Sequence, residues 1–492
     1  MAESPNSLCL KALVAKGRNE VIFIESDSDF VDVLLSFLTI AMGTIISLGR
    51  NCAVPLGIGC MKNLYESVEN VDVLDFRNST CREMLLCPRN RAEFQCKNLQ
   101  LKIYDGELTK FFYCSKCTPD KSNLLSYCSG DRCPCCHCNM SSEMNCCSLE
   151  DDDSGFVKER SRFIVTDNLQ VLPPLIQSSI CLFTKFGVVD KNSIEEMTIN
   201  VAIDDVLHLL MCSFVSKTPL TKILLKKEPV PEPSNINING RIHVKIQNVG
   251  DNTNEEDNIS IKLVVSKSKE TVCYAEAGDD FVSLLFSFLT LPLGSILKKM
   301  GNTSSLKGCT DQLYYSVQDL DEQYLKSNSH KELLVNPRLV PGFCYPNLLG
   351  IEEASYSWIG NDDDMFGYAT DSLLIPSNSL YQLEVKDPKS QYSAGKSARG
   401  FLKGPVMFIV TDNLIIRPIS PVFGISVLDQ LNVSFNDIDV QSVHVGKEEA
   451  WRILIASFLG NSALTNAFLQ KPKPEQEDVL LKEPRQEQEQ YC

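Results

Sequence analysis

Histidine is scarce in this sequence: among 492 residues there are five, His137, His208, His243, His330 and His444. A catalytic nucleophile needs a base beside it, most often His. His208 and His444 fall in corresponding stretches of the repeat described below, yet they do not align with each other. No Ser, Cys or carboxylate recurs beside either, so no catalytic residue is assigned. A phosphate loop is also lacking. Around Gly395, Lys396 and Ser397 the first glycine of such a loop would fall at Ser390, and the following VMFIVTD reads as a strand where a helix is required. No cofactor-binding residue is assigned either.

Positive charge is in deficit. Lys and Arg number 47 against 63 Asp and Glu, a formal charge of −16, which disfavours a polyanion as main partner, since phosphate binding rests on clustered cations. The opening MAESPNSLCLKALVAKGRNE has no continuous apolar core of the signal-peptide kind, and Cys492 in last place leaves no prenylation box. The expectation is a cytoplasmic or nuclear protein. In that reducing setting the 21 cysteines read as thiols and metal ligands rather than disulfides.

What the chain has in quantity is repetition. FVDVLLSFLTIAMGTIISL from Phe30 returns as FVSLLFSFLTLPLGSILKK from Phe281, and LKALVAKGRNEVIFIE from Leu10 returns as a second predicted hairpin from Ile261, all at a constant offset of 251. CMKNLYESVENVD from Cys60 matches CTDQLYYSVQDLD from Cys309. FIVTDNLQVLP from Phe163 matches FIVTDNLIIRP from Phe408, and the closing Ile199 stretch matches that from Val443. The reading is an α+β protein of two tandem homologous domains, β-hairpins packed on apolar helices. The first domain spans 1–225 and the second 259–470. A Pro- and Asn-rich linker, 226–258, separates them, and a charged tail, 471–492, ends the chain.

The repeated apolar stretch is nearly long enough to span a bilayer, but Asp32 lies near the start of one copy and Pro292 breaks the other after Leu291. The flanks lack the one-sided Lys/Arg bias of a spanning segment. A buried helix broken in two is expected, with the stripe Ser36, Thr39 and Gly43 as a close packing face. The paired TDN at Thr166–Asn168 and Thr411–Asn413 reads as a turn, since Asp and Asn bond their own backbone there. The acidic runs Glu150–Asp153 and Asp362–Asp364 read as solvated loops.

These stretches together resemble the plant-specific family of proteins of unknown function numbered 674, and the resemblance covers nearly all of both copies. It implies no activity, substrate or partner. It does imply Cys pairs in the middle of the first copy, the second spaced as Cys-x-Cys-Gly, and here Cys136 stands at that Gly.

The cysteine segment 114–147 is the one chemical signal. Cys114 and Cys117 are separated by two residues, and after fifteen more Cys133 and Cys136 repeat that spacing, which reads as a structural Zn²⁺ site. Cys135 and Cys136 remain alternatives for the fourth ligand, the first by the family's habit and the second by spacing. Four filled positions leave no open coordination site for catalysis. Unligated thiols and a multi-metal thiolate cluster are the competing readings. The second copy has no cysteine in its equivalent region, YSWIGNDDDMFGYATDS. The function expected is a non-catalytic protein-interaction or scaffold protein with a zinc knuckle and protein partners, bound to neither nucleic acid nor membrane. The alternatives are an enzyme with its site between the halves, or a nucleic-acid binder through the Cys segment, whose Lys110, Lys116, Lys121 and Arg132 are offset by neighbouring acids.

Overall fold

The computed structural model describes residues 7–103, 108–117, 123–145, 154–232, 259–301, 308–343, 348–359, 368–371, 381–389 and 400–469. Most of the 226–258 linker, the 471–492 tail, both acidic runs, Cys146 and Cys147 lie outside the described residues.

Alternating apolar residues and a four-residue turn make the first hairpin, Ser7–Ala15 with Glu20–Ser26, and the same pattern makes Ile259–Ser266 with Thr271–Gly278. Each hairpin is the centre of a five-stranded antiparallel sheet. The first sheet runs in the order Ile194–Ala202, Ser7–Ala15, Glu20–Ser26, Phe163–Thr166, Val171–Leu172. The second runs Ile438–Val445, Ile259–Ser266, Thr271–Gly278, Met407–Thr411, Ile416–Pro418. The two orders are the same. Even the irregularity is copied: a bulge leaves Ile22 unpaired between Val21 and Phe23, and Cys273 between Val272 and Tyr274.

The repeated apolar stretch forms helix Ser28–Ser36, a 3₁₀ turn Phe37–Thr39 and helix Met42–Asn51. Its second copy forms Asp279–Ser287, Phe288–Thr290 and Leu293–Met300. Pro292 accounts for the second break, having no N–H to continue a helix. Ala41 breaks at the same place because the two breaks pair with each other. Met42 N–H donates to Leu291 O at 3.0 Å and Leu293 N–H to Ile40 O at 3.0 Å, so Ala41 faces Pro292 across a short antiparallel bridge. The N–H of neither facing residue takes part, and proline is therefore tolerated there.

The polar stripe is satisfied locally, Ser36 and Ser287 donating to the carbonyls of Val33 and Leu284 at 2.7 and 2.6 Å. Its glycines are where backbones touch. A Cβ on Gly43 would lie 2.6 Å from Leu85 O, and one on Gly294 2.8 Å from Leu334 O.

Beyond the break the copies exchange partners. Cys60 N–H, at the start of helix Met61–Asn70, donates to Ser457 O at 2.9 Å, and Cys309 N–H, at the start of Thr310–Asp319, donates to Ser213 O at 2.8 Å. Ser67 Oγ accepts from Ile416 N–H, and Ser316 Oγ from Val171 N–H, each at 2.9 Å. Each helix thus closes the sheet of the other copy. One buried apolar cluster runs through both, containing Phe30, Phe37, Phe281, Phe288 and Trp451. Phe214 and Phe458 meet edge to face, their centroids 6.0 Å apart. No helix among the described residues is long and apolar enough to cross a membrane.

Candidate metal centre

The cysteine segment is built from two small ribbons. Lys110–Tyr113 pairs with Ser142–Asn145, and Asp131–Arg132 pairs with Asn139–Met140. Cys114 follows directly on the first ribbon, and the turn to Cys117 is tight, Cys117 N–H donating to Cys114 O at 3.2 Å. The second turn is closed by His137 N–H to Cys133 O at 3.0 Å and Cys133 N–H to Cys138 O at 2.9 Å. His137 takes the left-handed conformation that lets the chain reverse, with φ 57°.

These two turns bring four sulfurs together. Cys114, Cys117, Cys133 and Cys136 offer Sγ atoms that all lie within 4.8 Å of one another. The Cys114 to Cys136 separation is 3.3 Å and the Cys117 to Cys133 separation 3.7 Å. A tetrahedral set at the zinc–sulfur distance would put sulfurs about 3.8 Å apart, so the donor set fits such an ion with small adjustments. Of the set Cys133 is fully buried, as is Met140, which packs in the same cluster. Cys135 is exposed and, like His137, stands outside the four, and Cys128 and Cys138 are partly exposed.

The electrostatics suit a cation. The backbone N–H of Cys138, and then the Cys114 thiol, hold the Cys136 thiol down to about 6. Burial, followed by proton sharing with Cys136, pushes Cys114 up. Metal binding to such a set displaces the thiol protons.

The module is fastened to the second copy. Leu124–Leu125 adds a parallel strand to Tyr381–Val385, in a sheet continued by Tyr356–Ile359 and Tyr368–Asp371. Tyr127 Oη donates to Pro341 O at 3.0 Å, Lys386 pairs with Asp131 at 3.0 Å, and Phe111 packs edge-on to Tyr356. The four-cysteine cluster therefore sits where both halves contribute strands.

Sequence reasoning missed the buried carboxyls. Asp32 Oδ1 accepts from Phe156 and Val157 N–H at 2.7 and 3.0 Å, and burial raises its pKa to about 7. In the TDN turns Asp167 accepts from Thr221 N–H and Oγ1–H at 2.9 and 2.5 Å, and Asp412 accepts from Thr465 at 2.7 and 2.8 Å. Burial raises both to about 6. The same threonines accept from the bulged hairpins, Val21 N–H at 2.8 Å and Val272 N–H at 2.9 Å. The recurring Leu-Thr of the closing helices was the available signal. These acids are consumed by structure, as is the Ser327 to His330 contact of 2.7 Å, where Ser327 caps helix Asn328–Val335.

The family model described as "Protein of unknown function (DUF674)" matches residues 4–448. The chain belongs to that family. No curated protein and no solved structure matches it. Membership in DUF674 brings no chemistry with it, so function has to be argued from the site.

Proposed function

We propose that this DUF674 chain is a non-catalytic interaction or scaffold protein in which one zinc ion, held by Cys114, Cys117, Cys133 and Cys136, braces the strands shared by the two copies. The observation that carries the metal is the closed four-sulfur set, three of its members buried. A complete thiolate shell supplies folding energy and leaves no position for substrate. Support for the duplication is the identical strand order of the two sheets and the reciprocal bonds from Cys60 and Cys309. Support for a non-catalytic role is that the buried acids found are committed to backbone and threonine partners.

Metal analysis of protein purified under reducing conditions tests this. One zinc per chain is expected, lost on changing any of the four cysteines to Ser and kept in Cys135→Ser. Protein that takes up no zinc, with no gain in protease resistance on adding it, ends the metal assignment. For the scaffold reading, cross-linking in native tissue should return defined protein partners at near-stoichiometric yield. Recovery of the chain alone counts against it.

A further inference from the structure

The four sulfurs of the candidate metal centre are not equivalent. Cys114, Cys117 and Cys133 are buried at 4, 7 and 0 % exposure, whereas Cys136 is partly open to water. They also fall into two close pairs, each made across the two turns rather than within one. Cys114 Sγ lies 3.3 Å from Cys136 Sγ, and Cys117 Sγ lies 3.7 Å from Cys133 Sγ. The open sulfur therefore belongs to the tighter pair, and both members of the other pair are buried.

That asymmetry bears on oxidation. A peroxide has to reach a sulfur before it can oxidise it, so attack follows thiolate character and exposure. Of the four, Cys136 is the one within reach. A sulfenic acid formed there finds the Cys114 sulfur at 3.3 Å, only about 1.3 Å beyond the length of a disulfide bond. Cys135 is exposed as well, but it stands outside the set whose sulfurs all lie within 4.8 Å of one another.

We propose that the centre is a peroxide-sensitive switch, in which oxidation joins Cys136 to Cys114 in a disulfide and opens the metal site while Cys117 and Cys133 stay reduced. This rests on the reading of the four cysteines as one zinc site. Hydrogen peroxide is the oxidant. The Cys136 thiolate attacks one peroxide oxygen, the O–O bond breaks, and Cys136 becomes a sulfenic acid as hydroxide leaves. The Cys114 thiolate then attacks the Cys136 sulfur, the S–O bond breaks, and a second hydroxide leaves. Two thiolates and one peroxide thus give one disulfide and two hydroxides, the sulfurs losing two electrons and the peroxide gaining them. A metal ligand has to be a thiolate, so the site keeps two of its four donors. A structural zinc site is closed by four, and with two gone the ion is lost to solvent.

The test treats the zinc-loaded full chain with hydrogen peroxide in the presence of a chromogenic zinc chelator, then blocks the remaining thiols and maps disulfides by peptide mass spectrometry without reduction. The expected result is loss of the bound zinc in step with a Cys114–Cys136 linkage. Cys117 and Cys133 should be recovered as thiols after unfolding, and a dithiol reductant should restore zinc binding. Cys135→Ser should give the same linkage and the same loss. Zinc that stays bound while peroxide is consumed overturns the switch and leaves the zinc site standing. So does release with Cys117–Cys133, or a linkage to Cys135, as the main product. A chain that holds no zinc before peroxide is added overturns the zinc reading and the switch with it.

Discussion

A carboxyl group taken out of water resists ionisation, and Asp32 shows what that does to a protein's response to pH. Burial raises it to about 7 from an ordinary value of 3.8, against the opposing pull of two backbone N–H donors. A group whose folded pKa lies above its unfolded one stabilises the fold fully below the unfolded value. That contribution is lost as pH rises through the folded value. Stability should therefore fall between about pH 4 and pH 7, with Asp167 and Asp412 adding in the same direction. Asp32→Asn keeps an oxygen for Phe156 and Val157 but cannot ionise, and the corresponding residue in the second copy, Ser283, also serves Phe401 while neutral. Urea unfolding at pH 5 and pH 8 is the check. The wild type should lose on the order of 3 kcal/mol more than Asp32→Asn across that interval, and equal losses would mean that Asp32 is not the group responsible. The partnership itself could not be read from the sequence, because Phe156 is 124 residues away. Three of the clustered cysteines, Cys114, Cys117 and Cys133, are by contrast legible from spacing, since two tight turns suffice to aim each pair, and the fourth is narrowed by sequence to Cys135 or Cys136.

At the scale of the element, the broken helix is the informative case. Its second break is legible in Pro292, and the small-residue stripe is legible from the spacing of Ser, Thr and Gly. The break at Ala41 is not, because it exists to pair with the other copy and nothing local requires it. Ala41 sits at φ −74° and ψ 150°, close to Pro292 at φ −64° and ψ 145°, and Ile40 before it is extended at φ −76° and ψ 132°. Ala41→Pro should thus fit without strain and raise stability by about 0.4 to 1 kcal/mol through the unfolded state. A fall in the urea midpoint would show that the ring clashes within this buried seam. Crowding the same seam should do the reverse. In Gly43→Ala a methyl would stand 2.6 Å from Leu85 O, a backbone atom with little freedom to yield, and a loss of about 1 to 3 kcal/mol is expected. Phe288→Ala removes a ring with no exposure at all, and the expected loss is about 3 to 5 kcal/mol.

At the scale of the whole molecule, the repetition visible in the sequence says nothing about which sheet each set of helices closes, since the two sheets share one strand order. Only the reciprocal bonds show the exchange, Cys60 to Ser457 and Cys309 to Ser213. The exchange is not confined to one pair of helices. Arg77 N–H donates to Phe401 O and Lys326 N–H to Phe156 O, each at 3.0 Å, where the chain after each exchanged helix adds a short bridge to the opposite copy. A half expressed alone would leave the last strand of its sheet without the helix that packs on it and the apolar side of its own exchanged helix in water. Large exposed apolar areas of that kind lead to association or collapse. The expectation is a single cooperative unfolding transition for the full chain, because neither half buries its share of the common cluster without the other. Residues 259–469 alone should bind a hydrophobic dye and give no sharp melt, whereas the same segment co-expressed with residues 1–232 should co-purify with it and recover the melt. A chain cut once between residues 232 and 259 should likewise run as one particle on size exclusion. Two resolved calorimetric transitions, or a well-folded isolated half, would mean that the shared cluster contributes little to stability and that each copy folds by its own contacts.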